Sequence, residues 1–351
     1  MEPTPKGPGV IIPVGPNLSQ TVTAAGCLPA RRMIWAATPV GLNVWTGPFL
    51  PGSIPDPPAD VARLPVGPAA VGPNGNWAVL AAAGTESAWV CDLTQIKNGR
   101  SVRLVPGVDQ VRASDFRLAP GSPKVWQDFP AHKIHVGSIS RVGPLSDPRS
   151  FYTVSNEPGS TGRQTDTLVL WKVEPDGKAV RGGAWPLPDS LAFAPHPDGK
   201  RMLVGGTLDR RAGFVDLATG KEIGPAFSHP GVVTAVAVDP GGRWVATGGQ
   251  EGVVRVWSAT DAAAVGREFF HAGRVNGLAF GAGPSAGVLA TASSDGTARF
   301  YDVETGLPLG PALRHTGAVL TVGFEPRGGI VATGSRDGSL TIWEAPRITN
   351  P

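Results

Sequence analysis

One arrangement is written three times toward the C-terminus, and it restricts the fold more than any bulk property. The last copy has His315, an apolar run from Val319 to Phe324, then Ile330-Val-Ala-Thr333-Gly-Ser335, the pair Asp337-Gly338, and Ser339-Leu-Thr-Ile-Trp343. Short β-branched apolar runs separated by Gly-Gly and Asp-Gly read as three short strands joined by two turns. His229 to Trp257 repeats the wording with Val233 to Val238, Gly241-Gly242, Trp244 to Thr247 and Glu251-Gly252. His271 to Asp302 repeats it again with Val275 to Phe280, Val288 to Ser293 and Asp295-Gly296.

Self-similarity at a period of about 40 to 45 residues, built from four short strands, marks a propeller array. The expected fold is therefore all-β: a single closed β-propeller of four-stranded antiparallel blades, seven of them, with eight as the alternative. Residues 1–15 are expected to donate the ring-closing outer strand, because the run Val10 to Val14 has no earlier strand to pair with and the last unit stops after Trp343. The propeller then occupies residues 16–345 and a tail residues 346–351.

The earlier units are less regular. The first runs from Ser19 to Trp45, and its outer strand is expected in the Pro-rich passage Pro48 to Pro68, at the rim because proline cannot donate to a ladder. The second holds Asn74-Gly75, a hairpin signal, and the runs Trp77 to Ala81 and Ala88 to Asp92. Residues 93–131 read as an insertion, and Asn156 to Asp166 as a long polar loop. Unit four keeps Asp209 but places Ala184 where the repeat has His and Val215 where it has Trp.

Composition narrows the function classes. The formal net charge is +3 and the basic residues are scattered, so the localised stripe that nucleic acid requires is missing and no nucleic-acid binding is expected. The 36 prolines and 48 glycines fall at regular intervals between apolar runs and act as turn residues, not as linker. Two cysteines build no disulfide framework, and Cys91, in Trp89-Val-Cys91, reads as a small hydrophobe. No leader pattern and no membrane-length apolar run is present, so the expected setting is cytoplasmic and the expected state monomeric.

At this point the residues resemble the WD-repeat family of β-propellers: a His opening each repeat, an Asp-Gly hairpin inside it, and Trp or Trp-Asp near its end. The likeness is specific over 229–343, fair over 185–216 and weak before that. The Gly310-Pro-Ala-Leu-Arg-His315 wording looks most like bacterial members that stand as carboxy-terminal arrays of multidomain signalling proteins, serine/threonine kinases among them. The resemblance implies a non-catalytic scaffold or sensor. Fold alone does not, since propellers also host enzymes.

Physically, the repeated residues make a buried polar chain in which the acid accepts from the His ring, the ring meets a hydroxyl, and the hydroxyl accepts from the Trp indole. The sets are His315, Thr333, Asp337 and Trp343; His271, Thr291 and Asp295 with Tyr301 for Trp; and His229, Thr247 and Trp257 with Glu251 for Asp. Thr333 and Ser335 face the same way on a strand, so either can supply the hydroxyl. One such pair per blade keeps these groups apart, whereas a metal or a triad needs convergence. No catalytic residue, metal or cofactor is expected. The Gly283-Pro-Ser285-Ala-Gly287 spelling of a nucleophile elbow bridges two strands without a following helix and reads as a turn. His132 and His135 read as solvated loop residues, and His196 as a turn residue.

The expected partner is a protein or peptide bound on the loop face, where short varied loops are held by rigid strands. By the family's geometry the residues on that face are Arg210, Gln250, Arg274, Ser294 and Arg336. Arg274 and Arg336 suit an acidic segment because the guanidinium fork pairs carboxylates. The alternative is a propeller enzyme, or a small-molecule or metal-binding protein, with its site in the central channel.

Overall fold

The computed structural model describes residues 10–13, 22–28, 33–38, 41–46, 66–82, 87–93, 101–104, 131–135, 138–158, 164–175, 178–187, 190–206, 209–325 and 329–348. Among them the chain forms strands only, apart from one 3-10 turn at Gly283–Ser285. No helix of the described residues is long and apolar enough to cross a membrane.

In chain order the strands are β1 (Val10–Pro13), β2 (Ala24–Leu28), β3 (Met33–Thr38), β4 (Gly41–Thr46), β5 (Val66–Val71), β6 (Trp77–Ala82), β7 (Ser87–Asp92), β8 (Ser101–Leu104) and β9 (Ala131–His135). There follow β10 (Ser138–Pro144), β11 (Ser150–Pro158), β12 (Gln164–Val173), β13 (Ala179–Pro186), β14 (Ser190–Pro195), β15 (Arg201–Gly206), β16 (Arg211–Asp216), β17 (Glu222–Ser228), β18 (Val233–Val238), β19 (Trp244–Gly249), β20 (Val253–Ser258) and β21 (Ala264–Phe270). The last are β22 (Val275–Phe280), β23 (Val288–Ser293), β24 (Thr297–Asp302), β25 (Leu313–Arg314), β26 (Val319–Phe324), β27 (Ile330–Ser335) and β28 (Ser339–Glu344).

Four sheets are plain meanders of consecutive strands: β10 to β13, β14 to β17, β18 to β21 and β22 to β25. Three others borrow their fourth strand: β2-β3-β4-β8, β5-β6-β7-β9, and β26-β27-β28 with β1 alongside β28. Each is an open four-stranded ladder, antiparallel at every described register. The fold divides into two compact units, one holding the chain from Pro188 onward and the other most of the chain before it.

Two expectations are corrected here. The fourth strand of the first sheet is β8, with Leu42 opposite Leu104 and Trp45 opposite Ser101; residues 47–65 of the Pro-rich passage lie outside the described residues. The stretch expected as an insertion thus supplies the edge strand β8, and β9, which begins at its last residue, Ala131, pairs with β7. Asn156 to Asp166 is not a polar loop throughout: the β11–β12 ladder continues through Asn156↔Asp166 and Glu157↔Thr165 to Pro158↔Gln164. Polar residues sustain such a ladder because its bonds are made by backbone groups, whatever the side chains.

The cores lie between successive sheets. Phe214 and Phe227 pack with Val233, Val245 and Trp257; Val254, Val256 and Phe269 with Leu278, Leu289 and Tyr301; Ala290 and Phe300 with Val319 and Val331. Both faces of β18 are covered, so its first five residues, Thr234 included, are buried instead of alternating. Full burial of a side chain such as Phe214 contributes about 1.5–3 kcal/mol. Close approach of the sheets requires small residues: a Cβ on Gly248 would meet Val275 Cγ1 at 2.5 Å, and one on Gly205 would meet Val233 Cγ1 at 2.7 Å.

A β-bulge recurs near the start of the inner strand, between Ile139 and Arg141, Ser190 and Ala192, Val233 and Ala235, Val275 and Gly277, and Val319 and Thr321. A bulged residue is released from the ladder and its side chain is re-aimed. Thr234 uses that freedom to donate to the Val275 carbonyl of the next sheet at 2.6 Å, and Asn276 to donate to the Val319 carbonyl at 2.8 Å. These bonds stitch successive inner strands together.

Candidate partner-binding face

In the sheet β18 to β21 the polar chain is complete. The Trp257 indole donates to Thr247 Oγ1 at 3.0 Å, Thr247 meets His229 Nδ1 at 3.0 Å, and His229 Nε2 meets Glu251 Oε1 at 2.8 Å. In the sheet β22 to β25 the ring is turned over: His271 Nε2 meets Thr291 Oγ1 at 2.7 Å and Nδ1 meets Asp295 Oδ2 at 2.9 Å. Tyr301 there stacks on Phe269, centroids 4.2 Å apart. Burial holds all three imidazoles, His229, His271 and His315, below their ordinary range, as befits neutral rings in a donor chain.

The last sheet departs from expectation. His315 Nε2 meets Thr333 Oγ1 at 2.9 Å and Trp343 donates to the same oxygen at 2.7 Å. Thr333 therefore takes the hydroxyl role, while Ser335 donates to the Ala318 carbonyl. Asp337 does not accept from the ring. It is reached through Ser339, whose hydroxyl lies 3.4 Å from His315 Nδ1 and donates to Asp337 Oδ1 at 2.6 Å. The carboxylate is drawn instead toward the entry loop, where it accepts from Thr316 Oγ1 and from Gly317 N–H. Against burial, hydrogen bonds from Ser339 and Thr316 lower the Asp337 pKa, and those from Thr297 and His271 bring Asp295 down to about 2.

The remaining sheets show what replaces the set. Leu187, not Ala184, stands at the His position before β14, because its N–H bonds the Asp166 carbonyl as His271 N–H bonds that of Gly252. Val204 and Val215 hold the Thr and Trp positions, so the whole chain has been exchanged for apolar residues, which leaves no group unpaired. Asp209, without a His, pairs with Arg211. Cys91 occupies the Trp position of β7, buried with its thiol pushed up to about 12 by desolvation. In the sheet β10 to β13, Trp171 donates to Thr153 Oγ1 at 3.0 Å. The sequence does carry a signal for this pair, because His135-Val-Gly137 ahead of β10 has the His-x-Gly spelling that opens the repeats at His229, His271 and His315. His132 and His135 lie on β9 opposite Val90 and Ser87. His196 is a turn residue, but a buried one, with Arg201 3.0 Å from its Nε2. Ser285 is buried and donates to the Pro346 carbonyl at 2.8 Å, so the elbow spelling is a clamp on the chain beyond β28.

These networks fix a row of hairpin tips. The N–H of Gln250 bonds the Val232 carbonyl at 3.0 Å, that of Ser294 the Arg274 carbonyl at 2.9 Å, and that of Arg336 the Ala318 carbonyl at 2.9 Å. Each tip is thereby tied to the loop entering its own sheet, and Gln250, Arg274, Ser294 and Arg336 are exposed. Two residues beyond Gln250, Ser294 and Arg336 stand Gly252, Gly296 and Gly338, with φ of 89°, 82° and 87°. Arg210 is their counterpart, since His229 N–H bonds its carbonyl, and it holds φ at 51° despite its side chain. Thus Arg210 is two positions beyond the tip, while Gln250, Ser294 and Arg336 share one position and Arg274 faces Ser294 across the loop. Asn276 donates to Ser294 Oγ at 2.9 Å.

The family model "WD domain, G-beta repeat" matches residues 221–258, 266–302 and 312–344. Pre-mRNA-processing factor 19 of Bos taurus is 28% identical over 166 residues, 47% of this chain and 32% of that protein. A Periodic tryptophan protein 2 homolog of Neurospora crassa is 32% identical over 111 residues, 31% of this chain and 12% of that protein. Protein HIR1 of Yarrowia lipolytica is 33% identical over 115 residues, 32% of this chain and 9% of that protein. The chain spans a third or less of the length of these relatives, which come from an animal and two fungi and give no support to a bacterial signalling character.

Proposed function

We propose, from the three WD40 repeats matched over 221–258, 266–302 and 312–344, that this chain is a non-catalytic protein-interaction module that binds a peptide or protein domain on its hairpin tips. The observation that carries the reading is the repeated tie between each tip and its entry loop, which leaves Gln250, Arg274, Ser294 and Arg336 exposed on a fixed backbone. Preorganised loops lose little conformational entropy on binding, which favours affinity. The His and acid side chains that would suit catalysis are engaged in their own sheets: the ring nitrogens of His229 and His271 each face a hydroxyl or a carboxylate. An acidic partner segment fits Arg274 and Arg336, because planar guanidinium groups bind carboxylates through paired hydrogen bonds.

Affinity capture with the parent protein and with an Arg274→Ala/Arg336→Ala variant tests this reading. The variant should melt like the parent and lose one or more captured proteins. Recovery of every captured protein in equal amount would reject the assignment of this face.

A further inference from the structure

Away from the hairpin tips, two successive sheets carry the same arginine in the same setting. Arg255 on β20 stands opposite Thr247, and Arg299 on β24 stands opposite Thr291. Each reaches back to the preceding sheet, where its Nη1 donates at 3.4 Å to the carbonyl that ends the outer strand, Ser228 for Arg255 and Phe270 for Arg299.

The two sheets differ in what answers the charge. Arg255 is met by its own edge strand, since its Nε donates to Glu268 Oε1 at 2.7 Å. The outer ladders then correspond step for step: Val253↔Phe270 and Val254↔Phe269 match Thr297↔Arg314 and Ala298↔Leu313, and Trp257↔Ala264 beyond the bulge matches Tyr301↔Pro308. Ala312 therefore stands where Glu268 stands in the sheet before, and Arg314 where Phe270 stands. The acid of that site is missing and a second cation has been added.

Thr297, Arg299 and Arg314 share one face, because side chains alternate along a strand and directly paired residues point the same way. Arg314 is exposed and Arg299 half-buried. The acid of this sheet, Asp295, is already engaged by His271, the Ala272 N–H and Thr297. Besides the Phe270 carbonyl, Arg299 meets only hydroxyls, those of Thr297 and Tyr301, and among the described residues neither arginine forms an ion pair. Like charges at neighbouring registers repel, so an anion between them is favoured.

We propose that Arg299 and Arg314 form a second docking site, on the flank of β24 and β25, for an acidic segment of a partner protein whose carboxylate takes the place that Glu268 fills beside Arg255. A single exposed ion pair adds little. A segment with two successive acidic residues, one for each guanidinium fork, is the occupant that fits.

The test follows the NMR signal of the Arg299 Nε–H, assigned through its loss in Arg299→Lys, in full-length Arg274→Ala/Arg336→Ala protein, so that the hairpin tips do not contribute. That protein is titrated with a capped Gly-Glu-Glu-Gly peptide, its Gln-Gln counterpart and inorganic phosphate. Saturable shifts are expected with the Glu-Glu peptide and not with the Gln-Gln one. Adding Arg314→Ala, at an exposed position, should leave the melt unchanged and weaken binding about fivefold, the loss of one exposed ion pair. Ala312→Glu rebuilds in this sheet the counter-ion that Glu268 supplies to Arg255; it should weaken the peptide by a similar factor and move the Arg299 signal toward its peptide-bound position. No saturable shift, undiminished binding to either variant, or tighter binding of phosphate than of the Glu-Glu peptide would each overturn the site. Because the tips are already removed in this experiment, its failure leaves the reading of the tips untouched.

Discussion

The Trp171 indole N–H donates to Thr153 Oγ1 at 3.0 Å in the interior of β10 to β13. The same bond joins Trp257 to Thr247 and Trp343 to Thr333. The hydroxyl–indole contact thus recurs in three sheets. Its removal should be costly in one direction only. Thr153→Val leaves a buried indole N–H unpaired and should destabilise by about 1–3 kcal/mol in urea unfolding. Adding Trp171→Phe removes the donor as well, so the double variant should be less destabilised than the sum of the two single changes. Strict additivity would show that the bond carries no coupling.

The buried rings predict a pH dependence. His229, His271 and His315 are held below their ordinary value by burial, so below about pH 6.5 the unfolded chain binds more protons than the folded one. Stability is then fully present above that pH and falls as pH drops through the window beneath it. A second loss follows below about pH 4, where unfolded aspartates protonate while Asp295, down at about 2, and Asp337 remain charged in the fold. Thermal melts between pH 8 and 5 should show a falling midpoint, and His271→Gln should flatten the upper part of that decline. A midpoint that rises on acidification from pH 7 to 5.5 would contradict the neutral-ring assignment.

Arg210 holds a left-handed backbone where three counterpart positions have glycine. A side chain with a Cβ costs about 1 kcal/mol in that region relative to glycine. Arg210→Gly should therefore leave stability unchanged or raise it by up to about 1 kcal/mol, even though the change loosens the unfolded chain. The same substitution removes an exposed cation beside the proposed binding tips. Capture of an acidic partner should weaken while the melting temperature holds. Destabilisation beyond about 1 kcal/mol would mean that the long contact from Arg210 to the Pro230 carbonyl, at 3.5 Å, matters more than the strain.

The three C-terminal sheets were legible because each position in them obeys two demands at once: the Val, Ala and Thr runs satisfy strand pairing and the core, and the His, Thr and acid residues satisfy one another. Where a polar set is exchanged as a block, as at Leu187, Val204 and Val215, its fingerprint vanishes while the ladder stays. That is why spacing alone points to Ala184 for the His position. The bulges at Thr234 and Asn276 were not readable either, since register depends on the partner strand and not on the residue itself. The Asp337 shift turns on Thr316 and Ser339, two hydroxyls that no repeat pattern singles out. Long-range pairing explains the remaining miss, because nothing local in Ser101–Leu104 says that it lies beside β4.

The most distant pairing also gives the largest expected effect. β1 lies beside β28 at the edge of the last sheet, joining the two ends of the chain. Without it β28 becomes an exposed edge, and Ile342 and Trp343 lose the strand that flanks theirs. Removing residues 1–13 should therefore lower the melting temperature by several degrees, since about 1 kcal/mol shifts the midpoint of a domain of 150 residues or more by about 2–4 °C and several ladder bonds are lost together. Hydrogen exchange should localise the loss to β28 and β27, sparing β18 to β21. An unchanged melt, or loss of protection spread evenly over the chain, would show that β1 does not hold this edge.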